Sequence, residues 1–159
     1  MKAVLYERYG PSDVLRIAQV ERPEPKPHEV LIKVHAAAVT RADCATRDAN
    51  RNGGPLISII SRLISGLRRP RQPILGSEFA GTIEALGPGA SEFAVGDAVF
   101  GSSGFRFGAH ADFLCLTESA RIARKPTTLS FEEAAAITDG GLNALWCYKV
   151  GAYAAGTAS

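Results

Sequence analysis

FAGTIEALGPGASEFAVGDAVFG, residues 79–101, decides the fold. Phe79 to Leu86 is a short run suited to a strand. Gly87-Pro88-Gly89 breaks it, and Gly96-Asp97 opens a second run that reaches Phe100. Strands this short, parted by turn residues at this cadence, build a small β barrel. The cadence continues downstream in His110 to Leu116 and Ala120 to Ala123. Upstream, Glu29 to Ala36 alternates and is rich in β-branched residues, which predicts another strand. Lys2 to Tyr6 and Val14 to Val20, separated by Gly10-Pro11-Ser12-Asp13, predict an antiparallel opening. The prolines of Pro23-Glu24-Pro25-Lys26-Pro27 lack amide donors, so this stretch is an extended surface connector.

Two regions change period. Leu56, Ile59, Ile60, Leu63, Ile64 and Leu67 recur at helical spacing, opposite Ser58, Ser61, Arg62, Ser65 and Arg69, and predict an amphipathic helix. Arg68-Arg69-Pro70-Arg71 follows, with proline stopping the helix and cations suited to its C-terminal dipole. Ser130-Phe131-Glu132-Glu133 reads as a capping box that launches Ala134 to Ile137, and Leu142 to Val150 reads as a further helix. Small residues dominate from Gly151 to Ser159.

The chain has 159 residues, 46% of them apolar and 21% charged, the composition of an ordinary folded domain. A domain of this size buries roughly 68–70% of its unfolded surface, enough for a core without disulfides or metals. A net charge of +2 supplies no strong global field for nucleic-acid binding. Cys44, Cys115 and Cys147 are odd in number, far apart and not arranged as CxxC, so neither a disulfide framework nor a zinc knuckle is indicated. They read as small core or half-buried residues. His28, His35 and His110 stand alone in sequence and receive no catalytic role. The opening residues carry too short an apolar run for a signal peptide, and no stretch approaches the ~20 apolar residues of a membrane span. The expectation is a cytoplasmic protein with neither nucleic acid nor membrane as partner.

Six motifs in order, GPSDVL (10–15), EVLIKVHAAAV (29–39), TRAD (40–43), GSEFAGTIEALG (76–87), VGDAVFG (95–101) and FEEAAAI (131–137), carry a resemblance that covers nearly the whole chain. Together they resemble the N-terminal catalytic domain of the medium-chain dehydrogenase/reductase superfamily, in its zinc-independent, quinone-oxidoreductase-like branch. The resemblance implies a mainly β fold with short helices, a partly open GroES-like barrel over residues 1–126 with a helical insertion at about 55–69. It also implies a helical interdomain start at 127–159 that stops short of a Rossmann domain. The implied activity is NADPH-dependent hydride transfer to a quinone, enone or carbonyl substrate.

The same resemblance implies the site. Zinc-dependent relatives place cysteine at Thr40, histidine at Ser77 and a later cysteine aligned with Asp139. Hydroxyls are poor zinc ligands beside thiolate and imidazole, so no metal is expected. Thr40 and Asp43 are the expected catalytic residues, with Thr40, Arg41 and Asn143 on the cofactor and Arg47, Ser77 and Glu78 along the substrate cleft. Asp43 and Glu78 have two readings: they organise a polar cleft with Arg47 or Arg41, or they form a barrel-bracing ion pair. Arg41 suits a bidentate phosphate contact or open solvent equally.

No strand-GxGxxG-helix unit occurs, and Gly101-Ser102-Ser103-Gly104-Phe105-Arg106-Phe107-Gly108 has the wrong spacing for one. Catalysis is therefore expected only with a Rossmann domain in cis. The alternative is a non-catalytic, homo-oligomerising barrel that presents Leu142, Leu145, Trp146 and Tyr148 as apolar surface. A third reading gives the basic helix with Arg62, Arg68, Arg69 and Arg71 to a phosphate-rich surface, in competition with a helix that covers the substrate cleft.

Overall fold

The computed structural model describes residues 1–49 and 53–156; the tail positions 157–159 lie outside the described residues. Strands β1 (Lys2–Tyr6) and β2 (Leu15–Gln19) pair antiparallel, with Val4 opposite Ile17. Strands β3 (Glu29–Ala37), β4 (Glu78–Leu86), β5 (Ala98–Ser102), β6 (Phe113–Thr117) and β7 (Arg121–Arg124) form the main sheet in the order β6-β3-β4-β5-β7, every neighbour antiparallel. The β3–β4 register slips between Leu31 and Ile32 and between Val34 and Ala36. Such irregularities bend and twist a strand pair. The sheet accordingly curls into a half-barrel, the mainly β fold expected. The first strand attaches to it through bridges from Ala3 to Ala111 and from Leu5 to Ile74.

Alternation fixes the core. Val30 and Ile32 of β3, Phe79 and Ile83 of β4, Val99 of β5 and Leu114 and Leu116 of β6 point to one side, where Phe93 closes the cluster. The opposite face at Ala80 is covered by α3 (Phe131–Ala136) through Ala134 and Ala135, whose short side chains permit close approach. The expected capping box starts that helix: Ser130 Oγ accepts from Glu133 N at 3.1 Å, and the Glu133 carboxylate accepts from Ser130 N at 2.8 Å.

Among the described residues the other α-helices are α1 (Arg41–Arg47), α2 (Pro55–Ser65) and α4 (Thr138–Gly156). The expected helix over Leu56 to Leu67 begins with Pro55 in its first turn and stops at Gly66, whose φ of +123° only glycine adopts readily. Gly66, not Pro70, is the terminator. The last helix starts four residues earlier than the sequence periodicity predicts and runs through Gly140-Gly141. Cys44 and Cys147 are exposed, which corrects their reading as core residues; Cys115 is half-buried, and burial pushes its thiol up to about 11. Among the described residues no helix is long and apolar enough to cross a membrane.

Candidate active site

Thr40 ends the segment after β3 and caps α1. Its hydroxyl accepts from Asp43 N at 3.3 Å, while Asp43 Oδ2 accepts from Thr40 N at 2.8 Å and from Thr40 Oγ1 at 2.9 Å. The box satisfies two amides at the helix start, which is the local reason that TRAD becomes helical. The other oxygen of Asp43 reaches across the fold and accepts from Gly76 N at 3.0 Å. Asp43 is buried, and its oxygens accept from three donors on two segments.

Gly76-Ser77-Glu78 is the second wall. Gly76 adopts φ +91°, Ser77 is half-buried and Glu78 is buried at the start of β4. The Gly76 carbonyl accepts from Ala109 N at 3.0 Å and the Ser77 carbonyl from Ser103 N at 2.7 Å; Ser103 Oγ lies near both carbonyls at 3.4 and 3.3 Å. The glycine-rich 101–108 stretch thus clamps the loop that carries Ser77. Nothing in its sequence signals this use, because a buried serine needs a partner that only the fold reveals.

The third wall is the first turn of α4. Its Asp139 presents a backbone N–H and a carboxylate toward Glu78. Burial, opposed by that N–H and reinforced by the Asp139 and Asp43 charges, raises the Glu78 pKa above its ordinary value. The Asp43–Gly76 bond ties the Thr40 cap to the loop that carries Ser77, and Asp43 and Asp139 both act on Glu78; Thr40, Ser77 and Asp139, where the resemblance places zinc ligands, lie on these three segments. Among the described residues no three His, Cys, Asp or Glu side chains are grouped to hold a metal ion.

The arginines behave differently. Among the described residues no ion pair joins Asp43 or Glu78 to Arg41 or Arg47. Arg47 Nε donates to the Gly10 carbonyl at 3.2 Å, although Arg47 and Asp43 both line a cavity of about 290 Å³. Arg41 is exposed at the first turn of α1. Asn143 is exposed one turn beyond Asp139, and both line a groove of about 640 Å³ with Trp146 and Arg121. His110 bonds the Ala38 carbonyl at 3.1 Å and His35 stacks on Phe131 at 4.4 Å, both packing roles.

Linkage gives Glu78 a signed pH effect. Its folded pKa is raised, so the folded state holds the proton more tightly and stability falls as pH rises from the unfolded carboxylate range through the folded value. Glu78→Gln keeps an acceptor for Asp139 N–H without the buried charge. The variant is expected to raise Tm at neutral pH and to leave it nearly unchanged near pH 4, read by thermal melts at the two pH values. A neutral-pH Tm below that of the parent would contradict this account of the carboxylate.

Comparison with known proteins adds a frame to this geometry. The family model described as the alcohol dehydrogenase GroES-like domain matches residues 26–146. The chain is 36% identical over 138 residues to human quinone oxidoreductase, covering 86% of this chain and 37% of that protein. Its fold is similar to the quinone oxidoreductase structure from Coxiella burnetii, with a TM-score of 0.77 and 32% identity over 92% of this chain and 43% of that one. It is also similar to a mycobacterial structure complexed with NADPH, with a TM-score of 0.73 and 30% identity over 94% of this chain and 41% of that one. The chain spans less than two-fifths of the human relative's length.

Proposed function

Because the chain belongs to the alcohol dehydrogenase GroES-like domain family, we propose that it is the substrate-side domain of a zinc-independent, NAD(P)H-dependent oxidoreductase reducing a quinone, enone or carbonyl group. The observation that supports this reading is the buried Thr40–Asp43–Gly76 network beside Glu78 and Asp139, which offers hydroxyl and carboxylate where zinc-dependent relatives have thiolate and imidazole. That donor set does not suit tetrahedral zinc, and Thr40 already gives its proton to Asp43.

The residues present suit a nicotinamide cofactor. Asn143 offers an exposed amide that both donates and accepts, in a groove of about 640 Å³, and suits a carboxamide. Thr40 Oγ1 keeps one lone pair for a ligand donor after its bonds to Asp43. Arg41, exposed beside it, suits a phosphate. When bound, the reduced nicotinamide supplies the hydride. Thr40 and Asp43 then act as positioning residues that hold the loop carrying Gly76 and Ser77.

Calorimetric NADPH titration tests this on the 159-residue chain and on the same chain joined to a nucleotide-binding Rossmann domain, with NADPH oxidation followed against quinone, enone and aldehyde panels. The joined protein alone is expected to bind and turn over. A joined protein that binds NADPH yet reduces no substrate class would overturn the proposal. A second reading, a self-associating module, is favoured by the outward Leu142, Leu145, Trp146 and Tyr148 of α4. Concentration-dependent sedimentation without nucleotide binding in either protein would select it.

A further inference from the structure

Helix α2 is amphipathic in the sense opposite to a core helix. Ser58, Ser61, Arg62 and Ser65, at positions i, i+3, i+4 and i+7, are half-buried toward the body of the protein. Arg62 lies 5.1 Å from the Tyr9 ring, and Tyr9 hydroxyl donates to the Gly66 carbonyl at 2.7 Å, which pins the polar side inward. Leu56, Ile59, Ile60 and Leu63 face out, 48 to 70% exposed, and Leu67 just beyond the helix is also exposed. A contiguous outward apolar stripe of this kind marks an interaction surface.

The charge around the stripe selects among occupants. Residues 53–77 carry Arg62, Arg68, Arg69 and Arg71 and no acidic residue, more positive charge than the net +2 of the whole chain. Just past the helix, Arg68 and Arg69 meet Arg8 and Arg16 around a cleft of about 490 Å³; Glu7, one of the two acids there, is bridged to Arg16 at 2.9 Å. An apolar protein partner uses the stripe but not the arginines, and a nucleic acid uses the arginines but not the stripe. An anionic bilayer uses both. We propose that α2 and the arginine cleft beside it dock on an anionic phospholipid surface, the stripe entering the headgroup boundary and the arginines contacting lipid phosphates. This departs from the expected absence of a membrane partner, because periodicity alone does not say which side of a helix faces inward.

Co-sedimentation of the 159-residue chain with vesicles of phosphatidylcholine alone, or with phosphatidylglycerol added, tests the proposal. Pelleting is expected only with phosphatidylglycerol and should be reversed by high salt. Arg68→Gln combined with Arg69→Gln should weaken it about thirtyfold, from about 1 kcal/mol for each arginine near an anionic surface. Ile60→Glu, at an exposed position, should abolish pelleting while circular dichroism stays unchanged. Absent pelleting, equal pelleting with both vesicle types, or pelleting indifferent to Ile60→Glu would overturn the proposal. A dimer that Ile60→Glu dissolves, without vesicle binding, would assign the stripe to a second copy instead and overturn it equally.

Discussion

Asp43→Ala is expected to destabilise the chain by about 3–5 kcal/mol, a large share of the roughly 5–15 kcal/mol that holds an ordinary domain. The side chain is fully buried and accepts from Thr40 N, Thr40 Oγ1 and Gly76 N. Alanine leaves the buried Gly76 N–H without its partner, at about 1–3 kcal/mol. It also removes the reciprocal cap of α1, at about 1 kcal/mol, and opens a small void. Asp43→Asn keeps one acceptor but turns an amide donor toward a backbone N–H, so it should fall between the parent and alanine. Urea midpoints at constant slope measure all three. A loss below about 1 kcal/mol for alanine would mean that Asp43 does not hold the two walls together.

Gly76→Ala should cost about 3–4 kcal/mol for a different reason. An added Cβ would lie 2.5 Å from His110 Cδ2 and 2.7 Å from the His110 backbone nitrogen, and φ of +91° strains any L side chain. The ring can rotate, but the backbone nitrogen is held by its bond to the Leu75 carbonyl. Gly54 provides the internal control, having the same φ of +91° with nothing within 4 Å of its added Cβ. Gly54→Ala should therefore show the backbone strain alone, about 1–2 kcal/mol. The difference between the two variants reads the overpacking, about 1–3 kcal/mol. Equal losses at both glycines would show that the Gly76 loop yields, and that its position is not enforced by His110.

These two residues illustrate what the sequence exposes. The sheet was legible because Gly87-Pro88-Gly89 and Gly96-Asp97 interrupt alternating runs, and those interruptions mark real turns between β4 and β5. Helix α1 was not, since Ala42, Cys44 and Ala45 leave no apolar stripe to count. Its usable signal was the pair Thr40 and Asp43 at capping spacing, which the family likeness draws toward chemistry instead of helix initiation. The amphipathic pattern of α2 was plain, but a period records that two faces differ and not which one is inward. The burial of the two faces, the Arg62–Tyr9 contact and the Tyr9–Gly66 bond reveal that. At the candidate site, Thr40, Asp43, Ser77 and Glu78 were named from motif positions and the fold gathers them. Arg47 lines a cavity with Asp43, and its guanidinium donates to the Gly10 carbonyl, an acceptor 37 residues away that no local spacing announces.

The proposed function is hydride transfer without a metal. The most direct test follows NADPH oxidation by the chain joined to a nucleotide-binding domain, against a quinone, before and after exhaustive dialysis with a zinc chelator. The account predicts turnover that chelation leaves unchanged and that added zinc does not raise. Turnover abolished by the chelator and restored by stoichiometric zinc would contradict it, and would require a metal to be held by donors other than thiolate and imidazole at Thr40, Ser77 and Asp139.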